Sequence, residues 1–316
     1  MRTRPLRELG VRELGPLLEE ETGHWLSELL WDYSEVASAV EGGVDRRSLN
    51  GRAAQEGSKA VAYCYYLHDP QRILIGAAFA SEAFRGQGIE EGLLTESVGE
   101  ALAVGQRRIE CQTLFTTARQ PEGVFRAAGF AEAPREYLIR DCVATPLPQV
   151  EHVPGLRPLR REDLPAAAEV VRESHVDSVD AAVNLTYRSS ALCKVFVETL
   201  VLRSGCGRVD PEASAVVQQG DGISAVLIAS QLSRRSGHIC QVSVRPEAQG
   251  QGLGRRLMAH ALSAFRRRGF EAVSLSVTVG NERARALYYQ MGFTLRRRFG
   301  AYAWVPPPDR IELPST

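Results

Sequence analysis

A glycine-rich loop constrains this chain more than any other feature of its sequence. It reads Gln249-Gly250-Gln251-Gly252-Leu253-Gly254-Arg255 and lies between an apolar strand pattern and an amphipathic helix pattern. The first backbone N–H groups of a helix are unpaired and lie at the positive end of its dipole, so such a loop can bind a phosphate group. Glycine lets an anion approach the backbone because it has no Cβ. The loop therefore predicts an anion site at a strand–helix junction.

A weak internal repeat divides the chain. Arg85-Gly86-Gln87-Gly88-Ile89 is similar to the glycine loop, and Ala128-Gly129-Phe130 is similar to Met291-Gly292-Phe293. The two landmarks have nearly the same separation in both copies. A stretch with several prolines, from Ala144 to Gly155, lies between the copies and is typical of a linker. We predict two domains, 1–150 and 151–316.

Composition narrows the class of protein. The chain has 316 residues, of which 44% are apolar and 24% charged, as in ordinary globular domains. The formal net charge is zero, which gives no support for a nucleic-acid partner. No apolar run approaches the roughly 20 residues of a membrane span. The six cysteines form no CxxC pair and have no metal-ligand spacing, so we expect free thiols, no metal and a cytoplasmic location.

Hydrophobic periodicity in the second half predicts a mixed α/β order. Apolar residues from Leu253 to Phe265 form one helical stripe, which ends at Gly269. Alternation from Val273 to Val279 predicts a strand, and Asn281 is a suitable cap for the helix that follows. Further helices are predicted from Leu164 and over 191–203, and further strands over 214–218, 224–230, 238–244, 293–297 and 301–305.

The glycine loop fits two known kinds of nucleotide-binding loop poorly. A dinucleotide fold also needs an acidic ribose ligand at a strand end, about 20 residues after its glycines. Glu271 is the acidic residue in that region, but it lies at a strand start. A P-loop needs Gly-Lys-Ser or Gly-Lys-Thr, and the chain contains neither.

A second motif follows the glycine loop by one helix and one strand. It contains Asn281, Ala284, Leu287-Tyr288 and Gly292-Phe293. With Val242-Ser243-Val244-Arg245-Pro246 and the glycine loop, it resembles the GCN5-related N-acetyltransferase (GNAT) superfamily over residues 155–305. The resemblance implies two tandem domains of mixed α/β fold, each with a twisted, mostly antiparallel sheet flanked by helices. It also implies a splayed strand pair that binds acetyl-CoA.

The resemblance also implies roles for single residues. Backbone N–H groups of the glycine loop would bind the CoA pyrophosphate, and the main chain of Val242 and Val244 would pair with the pantetheine arm. Asn281 would contact that arm, although it can cap its helix without a ligand. Tyr288 would donate its phenolic proton to the leaving thiolate, unless it and Tyr289 are packing residues. The predicted acetyl-CoA set is Val242, Val244, Gln249, Gly250, Gln251, Gly252, Leu253, Gly254, Arg255 and Asn281.

The group that removes the proton of the acceptor amine is not evident. In some relatives a glutamate on the strand before the Asn281 helix does this, but the matching residue here is Ser276, which is a poor base. His238 on the neighbouring strand is one alternative. We favour a water chain lined by Gln241, Ser243 and Ser276.

The first copy lacks three of these residues. Glu90 stands where the second copy has Gly254, and a carboxylate would repel a pyrophosphate. Phe125 occupies the tyrosine position, and Ala118 aligns near the asparagine position. We predict that residues 1–150 keep the fold but have lost catalysis.

Three functions follow as hypotheses. The first is transfer of an acetyl group to a primary amine of a small molecule, and a protein or peptide acceptor is the alternative. A CoA-binding sensor without turnover is an alternative of another class. The acceptor walls are predicted over His175–Arg203 and Arg296–Trp304, where His175, Asp177, Asp180, Tyr187 and Arg188 are polar or aromatic candidates. The sequence leaves the oligomeric state open.

Overall fold

The computed structural model describes residues 2–149, 152–203 and 205–306. The chain divides into two compact units. Unit 1 comprises residues 1–133 with 299–316, and unit 2 comprises residues 134–298. Each unit contains one copy of the sequence repeat.

Unit 1 is built on a sheet with helices against it. Its strand order is β1-β2-β3-β4-β5 followed by the end of β13, and among these the β4–β5 pair is parallel. Its elements in chain order are β1 (Arg2–Pro5), α1 (Val11–Leu29), α2 (Ser34–Asp45), β2 (Asn50–Glu56), β3 (Lys59–Asp69), β4 (Arg72–Ala80), α3 (Ile89–Ala103), β5 (Ile109–Gln112) and α4 (Pro121–Ala127).

Unit 2 has the same order of elements around its own sheet. Its strand order is β6-β12-β11-β10-β9-β7, with β8 also paired to β10, and the β11–β12 pair is parallel while the other pairs are antiparallel. The remaining elements are β6 (Ala131–Asp141), β7 (Leu156–Pro158), α5 (Leu164–His175), α6 (Val179–Val183), α7 (Ser190–Leu202), β8 (Arg208–Val209), β9 (Ala215–Gln219), β10 (Gly222–Gln231), β11 (Ser236–Val244), α8 (Leu253–Arg267), β12 (Ala272–Thr278), α9 (Glu282–Gln290) and β13 (Thr294–Trp304).

Both faces of the unit 2 sheet are covered by helices. On one face, α8 buries Leu257, Leu262 and Phe265 against strand residues such as Leu275. The other face packs against α5 and α7. Burial of such side chains contributes about 1.5–3 kcal/mol each. The predicted class, a mixed and mostly antiparallel sheet flanked by helices, is confirmed.

The compact units have different bounds from the predicted domains. Arg135–Asp141 of β6 pairs with β12 of unit 2, whereas Ala301–Trp304 of β13 pairs with β5 of unit 1. Each half of the sequence therefore ends in a strand that belongs to the other compact unit. The functional division into 1–150 and 151–316 stays a prediction, and Val150 and Glu151 of the predicted linker lie outside the described residues.

One local prediction is wrong. The two closing strands predicted over 293–297 and 301–305 are one continuous strand, β13. Gly300 does not turn the chain, because Thr113 Oγ1 accepts a hydrogen bond from its N–H at 2.9 Å and keeps the backbone in the sheet. In the described part of the chain, no helix has the length and apolarity needed to cross a membrane.

Substitution of Gly237 in β11 would test the packing of this sheet. An added Cβ at Gly237 would lie 2.6 Å from the ring of buried Phe265, whereas one at Gly222 in the paired strand β10 would meet no atom within 4 Å. We expect Gly237→Ala to lower the free energy of unfolding by about 1–3 kcal/mol through overpacking. The matched control Gly222→Ala should change it by less than about 0.5 kcal/mol. Urea denaturation measures both, and equal effects would contradict the packing described.

Candidate active site

The site begins where β11 and β12 separate. Their parallel pairing runs from Ser236 opposite Ala272 to Ile239 opposite Leu275 and then stops, although both strands continue. The register of β11 against β10 shifts at the same level, which makes Cys240 an extra residue in a β-bulge. Beyond this point the edge of β11 that faces β12 pairs with no strand among the described residues. Unpaired backbone groups bind another hydrogen-bonding partner.

A cavity of about 700 Å³ lies at this separation. Its walls come from the end of β11, the start of α8, the α5–α6 segment and α9. Tyr288 lines it, while Gln251 is exposed and does not. The other predicted acetyl-CoA residues line it together: Val242, Val244, Gln249, Gly250, Gly252, Leu253, Gly254, Arg255 and Asn281.

The glycine loop presents free backbone donors to this cavity. The first helical bond of α8 runs from Arg256 N–H to the Gly252 carbonyl at 3.1 Å. Within the described ranges, the N–H groups of residues 250–255 donate to no protein acceptor. Gly250 and Gly252 have φ values of +82° and +76°, and no atom lies within 4 Å of an added Cβ at either one. Glycine is therefore needed there for backbone conformation.

Asn281 and the α9 helix carry the second motif. The Asn281 Oδ1 atom accepts a hydrogen bond from Ala284 N–H at 3.1 Å, so this residue caps the helix. Its contact with a cofactor stays a prediction, although Asn281 also lines the cavity.

Tyr288 is buried at the base of the cavity, with 7% of its surface exposed. Burial, and then the charge of Asp180, raises the pKa of its phenol well above the ordinary value. Tyr288 is therefore protonated at neutral pH. It therefore has a proton that a leaving group could take.

A buried ion pair fixes the helix that carries Tyr288. Arg285 on α9 donates two hydrogen bonds to Glu136 on β6, at 2.9 and 3.0 Å. The hydroxyl of Tyr289 donates to the same carboxylate at 2.9 Å. Such bidentate pairs are geometrically specific. Tyr289 thus anchors the helix through Glu136, a residue that precedes the repeat boundary in the sequence.

The structure argues against His238 as a base. The His238 ring is 4% exposed, and its Nδ1 lies 2.8 Å from Ser274 Oγ. Burial, with the charge of Arg135, lowers its pKa to about 3. A group with this pKa is a very weak base, so His238 is a neutral structural residue.

Two of the three residues in the predicted water chain lie together. Gln241 Nε2 donates to Ser243 Oγ at 2.9 Å, and Ser243 lines the cavity. Ser276 is half-buried on β12 and lies opposite Tyr137 of β6 in the sheet. The water chain stays a prediction.

Three of the five acceptor-wall candidates, His175, Asp180 and Tyr187, form a polar cluster beside Tyr288, although no defined role could be assigned to any of them from the sequence. Asp180 is buried, and its carboxylate accepts a hydrogen bond from Thr278 Oγ1 at the end of β12. The rings of His175 and Tyr187 are stacked with centroids 4.2 Å apart, and His175 lines the cavity. In the sequence these residues have the pattern of a solvated loop, and only the fold places them beside the strand ends.

The corresponding slot in unit 1 is closed by its own chain. Ala78 and Ala80 correspond to Val242 and Val244 in the repeat. Thr117 N–H donates to the Ala78 carbonyl at 2.9 Å, and Thr117 Oγ1 accepts from Ala80 N–H at 2.9 Å. Thr117 also donates to the buried carboxylate of Glu90 at 3.0 Å. The groups that would face a pantetheine arm are thus already paired.

The corresponding loop and tyrosine positions in unit 1 are altered as well. An added Cβ at Gly86 would lie 2.7 Å from the guanidinium of Arg119, which therefore covers the loop. Phe125 is fully buried and stacked on Tyr302 with centroids 4.2 Å apart. It contributes to the core of unit 1.

Comparisons with known proteins agree with this geometry. Residues 192–293 match the acetyltransferase (GNAT) family. A mycothiol acetyltransferase of Beutenbergia cavernae is 42% identical over 101 residues, which are 31% of this chain and 34% of that protein. The [ribosomal protein bS18]-alanine N-acetyltransferase of Escherichia coli K12 is 33% identical over 82 residues, 25% of this chain and 55% of that protein. The matches thus span about a third and about half of these two relatives.

A solved structure extends the likeness in fold to the whole chain. The GCN5-related N-acetyltransferase from Sphaerobacter thermophilus has a TM-score of 0.67 at 18% identity, covering 100% of this chain and 98% of that one. Residues 192–293 form a domain of the GNAT acetyltransferase family, a family that uses acetyl-CoA. The region before this domain has a GNAT-like fold as well.

The buried state of His238 has a measurable consequence for stability. The folded protein keeps this ring neutral down to about pH 3, whereas the unfolded chain binds the proton near pH 6.5. The free energy of unfolding therefore falls as the pH falls through this window, by about 2 kcal/mol at pH 5 from this residue alone.

We expect His238→Gln to lose about 2 kcal/mol less than the wild type when urea denaturation at pH 7 is compared with pH 5. Other histidines contribute equally to both proteins and cancel in the difference. Identical losses in the two proteins would show that His238 is not held neutral.

Proposed function

We propose that this protein is an acetyl-CoA-dependent N-acetyltransferase that uses the cavity of unit 2. The observation that supports this proposal most strongly is what lines a single cavity. The cavity is lined by the free N–H groups of the glycine loop, the unpaired edge of β11 and the protonated Tyr288. The activity of the family and of the two named relatives supports it.

The residues present fit acetyl-CoA. The N–H groups of residues 250–255 converge at a helix N-terminus, where they can bind a pyrophosphate. The open edge of β11 at Val242 and Val244 can pair with the amides of a pantetheine arm, as an added strand would. When bound, acetyl-CoA supplies an activated thioester. Its acetyl end would lie towards Tyr288, at the base of the same cavity.

Tyr288 would act on the leaving group. A thiolate formed on loss of the acetyl group is more basic than water and needs a proton. The raised pKa of the Tyr288 phenol keeps that proton in place until the thiolate forms. Glu136 and Arg285 hold the helix so that this hydroxyl stays in the cavity.

The acceptor is proposed to be a primary amine of a small molecule. The named relative with the higher identity is a mycothiol acetyltransferase, which favours a small acceptor. The Escherichia coli relative is named for a ribosomal protein, which keeps a protein or peptide acceptor as the alternative. A CoA-binding sensor without turnover is the candidate of another class.

The role of Tyr288 can be tested by removing one oxygen atom. Tyr288→Phe should lower kcat by about 10²- to 10⁴-fold, because general acid catalysis is lost. The acetyl-CoA affinity should stay within about threefold of the wild type, since the ring remains. Thiol release over a panel of ethanolamine, glucosamine, spermidine and a peptide measures turnover, and calorimetry measures binding. Acetyl-CoA binding without thiol release on any amine would favour the sensor.

We further propose that unit 2 alone binds acetyl-CoA. Gly252 and Gly88 are equivalent residues, with φ values of +76° and +77° and open space around an added Cβ. Each Gly→Ala change should cost about 1 kcal/mol of stability. Because Gly252 shapes the predicted anion site, Gly252→Ala should also weaken acetyl-CoA binding about tenfold, while Gly88→Ala should not. Calorimetry should give one site per chain, and two sites or equal effects would refute the proposal.

A further inference from the structure

A buried carboxylate lies beside Tyr288 and directly follows the cavity-lining residues Ser178 and Val179 in the chain. Asp180 is 9% exposed, and Thr278 Oγ1 donates a hydrogen bond to it. Thr278 is the last residue of β12 and lies two residues after Ser276, so both side chains lie on the same face of the strand. Ser274, Ser276 and Thr278, which share this face of β12, carry no carboxylate. Asp180 therefore brings a carboxylate from α6 to the face that lacks one of its own.

The surroundings of Asp180 suit a positively charged ligand. Its charge raises the pKa of both Tyr187 and Tyr288, so the two phenols share its environment. Its hydrogen-bond partner in the described part of the chain is Thr278, which is neutral. The charged and titratable groups around it are His175 on α5, Tyr187 after α6, Tyr288 on α9 and Arg135 on β6.

We propose that Asp180 binds the ammonium group of the acceptor and removes its proton. The proposal rests on the acetyltransferase function above. The acceptor class is then a primary alkyl ammonium, which pairs with the carboxylate while its carbon chain lies near the stacked rings of His175 and Tyr187.

Acetyl transfer begins with deprotonation of the acceptor. The ammonium transfers one proton to Asp180, and the nitrogen lone pair forms a bond to the acetyl carbonyl carbon. The carbon–sulfur bond breaks, and the sulfur takes the phenolic proton of Tyr288. The nitrogen then loses a second proton, which restores the phenol. Asp180 finally releases its proton to water, so the products are an amide, a thiol and one proton.

His175 is the competing base in this cavity. Its Nδ1 lies 2.8 Å from the Val171 carbonyl, which can only accept, so Nδ1 carries the hydrogen and Nε2 carries the lone pair. Burial lowers its pKa and keeps it neutral. A neutral ring does not attract an ammonium ion as a carboxylate does, and this difference favours Asp180.

The test compares full-length variants over the same amine panel. Asp180→Asn keeps the size of the side chain and can still accept from Thr278. We expect it to lower kcat/KM by about 10²- to 10⁴-fold and to leave the acetyl-CoA dissociation constant within about twofold. Asp221→Asn, in the exposed turn between β9 and β10, is the matched control and should behave as the wild type. His175→Gln should lower kcat/KM by less than Asp180→Asn does, because it removes a ring near the acceptor chain and leaves the proposed base in place.

Chemical rescue separates a base from a structural residue. Added sodium formate should raise the kcat of Asp180→Ala by at least about tenfold, because it supplies a carboxylate. It should not change the kcat of the wild type. Loss of turnover in His175→Gln, together with wild-type turnover in Asp180→Asn, would overturn this inference but not the proposed function. Failure of formate rescue in a folded Asp180→Ala protein would also overturn it. Absence of thiol release by the wild type would overturn both this inference and the proposed function.

Discussion

The separation of β11 from β12 is the constraint on which the rest of the site depends. Two parallel strands that part leave backbone donors and acceptors without partners, and these groups must be paired in some other way. In unit 2 the β-bulge at Cys240 and the glycine loop keep the slot open beside a cavity. In unit 1 Thr117 fills the equivalent slot. The same fold therefore has an open strand edge beside a cavity in unit 2 and a strand edge paired with its own chain in unit 1.

The residues with proposed chemical roles come from different elements. Tyr288 belongs to α9, which the Glu136–Arg285 pair holds on the sheet. Asp180 belongs to a helix of five residues and is held by Thr278 at the end of β12. The charge of Asp180 acts on the Tyr288 phenol, so the two groups share one environment. In the proposed step Asp180 acts first on the acceptor nitrogen, and Tyr288 then acts on the leaving sulfur.

The parts of the site that could be predicted depend on residues that lie close together in the sequence. Gly250 and Gly252 define a backbone conformation, and the α8 stripe ending at Phe265 defines a buried face. Asp180 could not be selected, because its burial depends on Thr278, 98 positions away in the sequence. The bounds of the compact units were missed for a similar reason. Strand pairing between distant residues is not visible in local periodicity.

The environment of His238 shows how burial changes a prediction of chemistry. Its position at the start of a predicted strand allowed a catalytic role, since the ordinary pKa of histidine lies near neutrality. The fold places its ring against Ser274 of β12 and stacks it with the ring of Tyr137, with 4% of its surface exposed. Burial penalises the charged form of the imidazole and lowers its pKa, so the environment decides the role.

Hydrogen exchange with and without acetyl-CoA tests the central claim most directly. The amides of residues 250–255 lack protein acceptors and should exchange quickly in the free protein. Saturating acetyl-CoA should slow their exchange and that of Val242 and Val244, while the amides of residues 86–91 should exchange unchanged. Unchanged exchange over 250–255 at saturation, or equal protection in both repeats, would contradict the account.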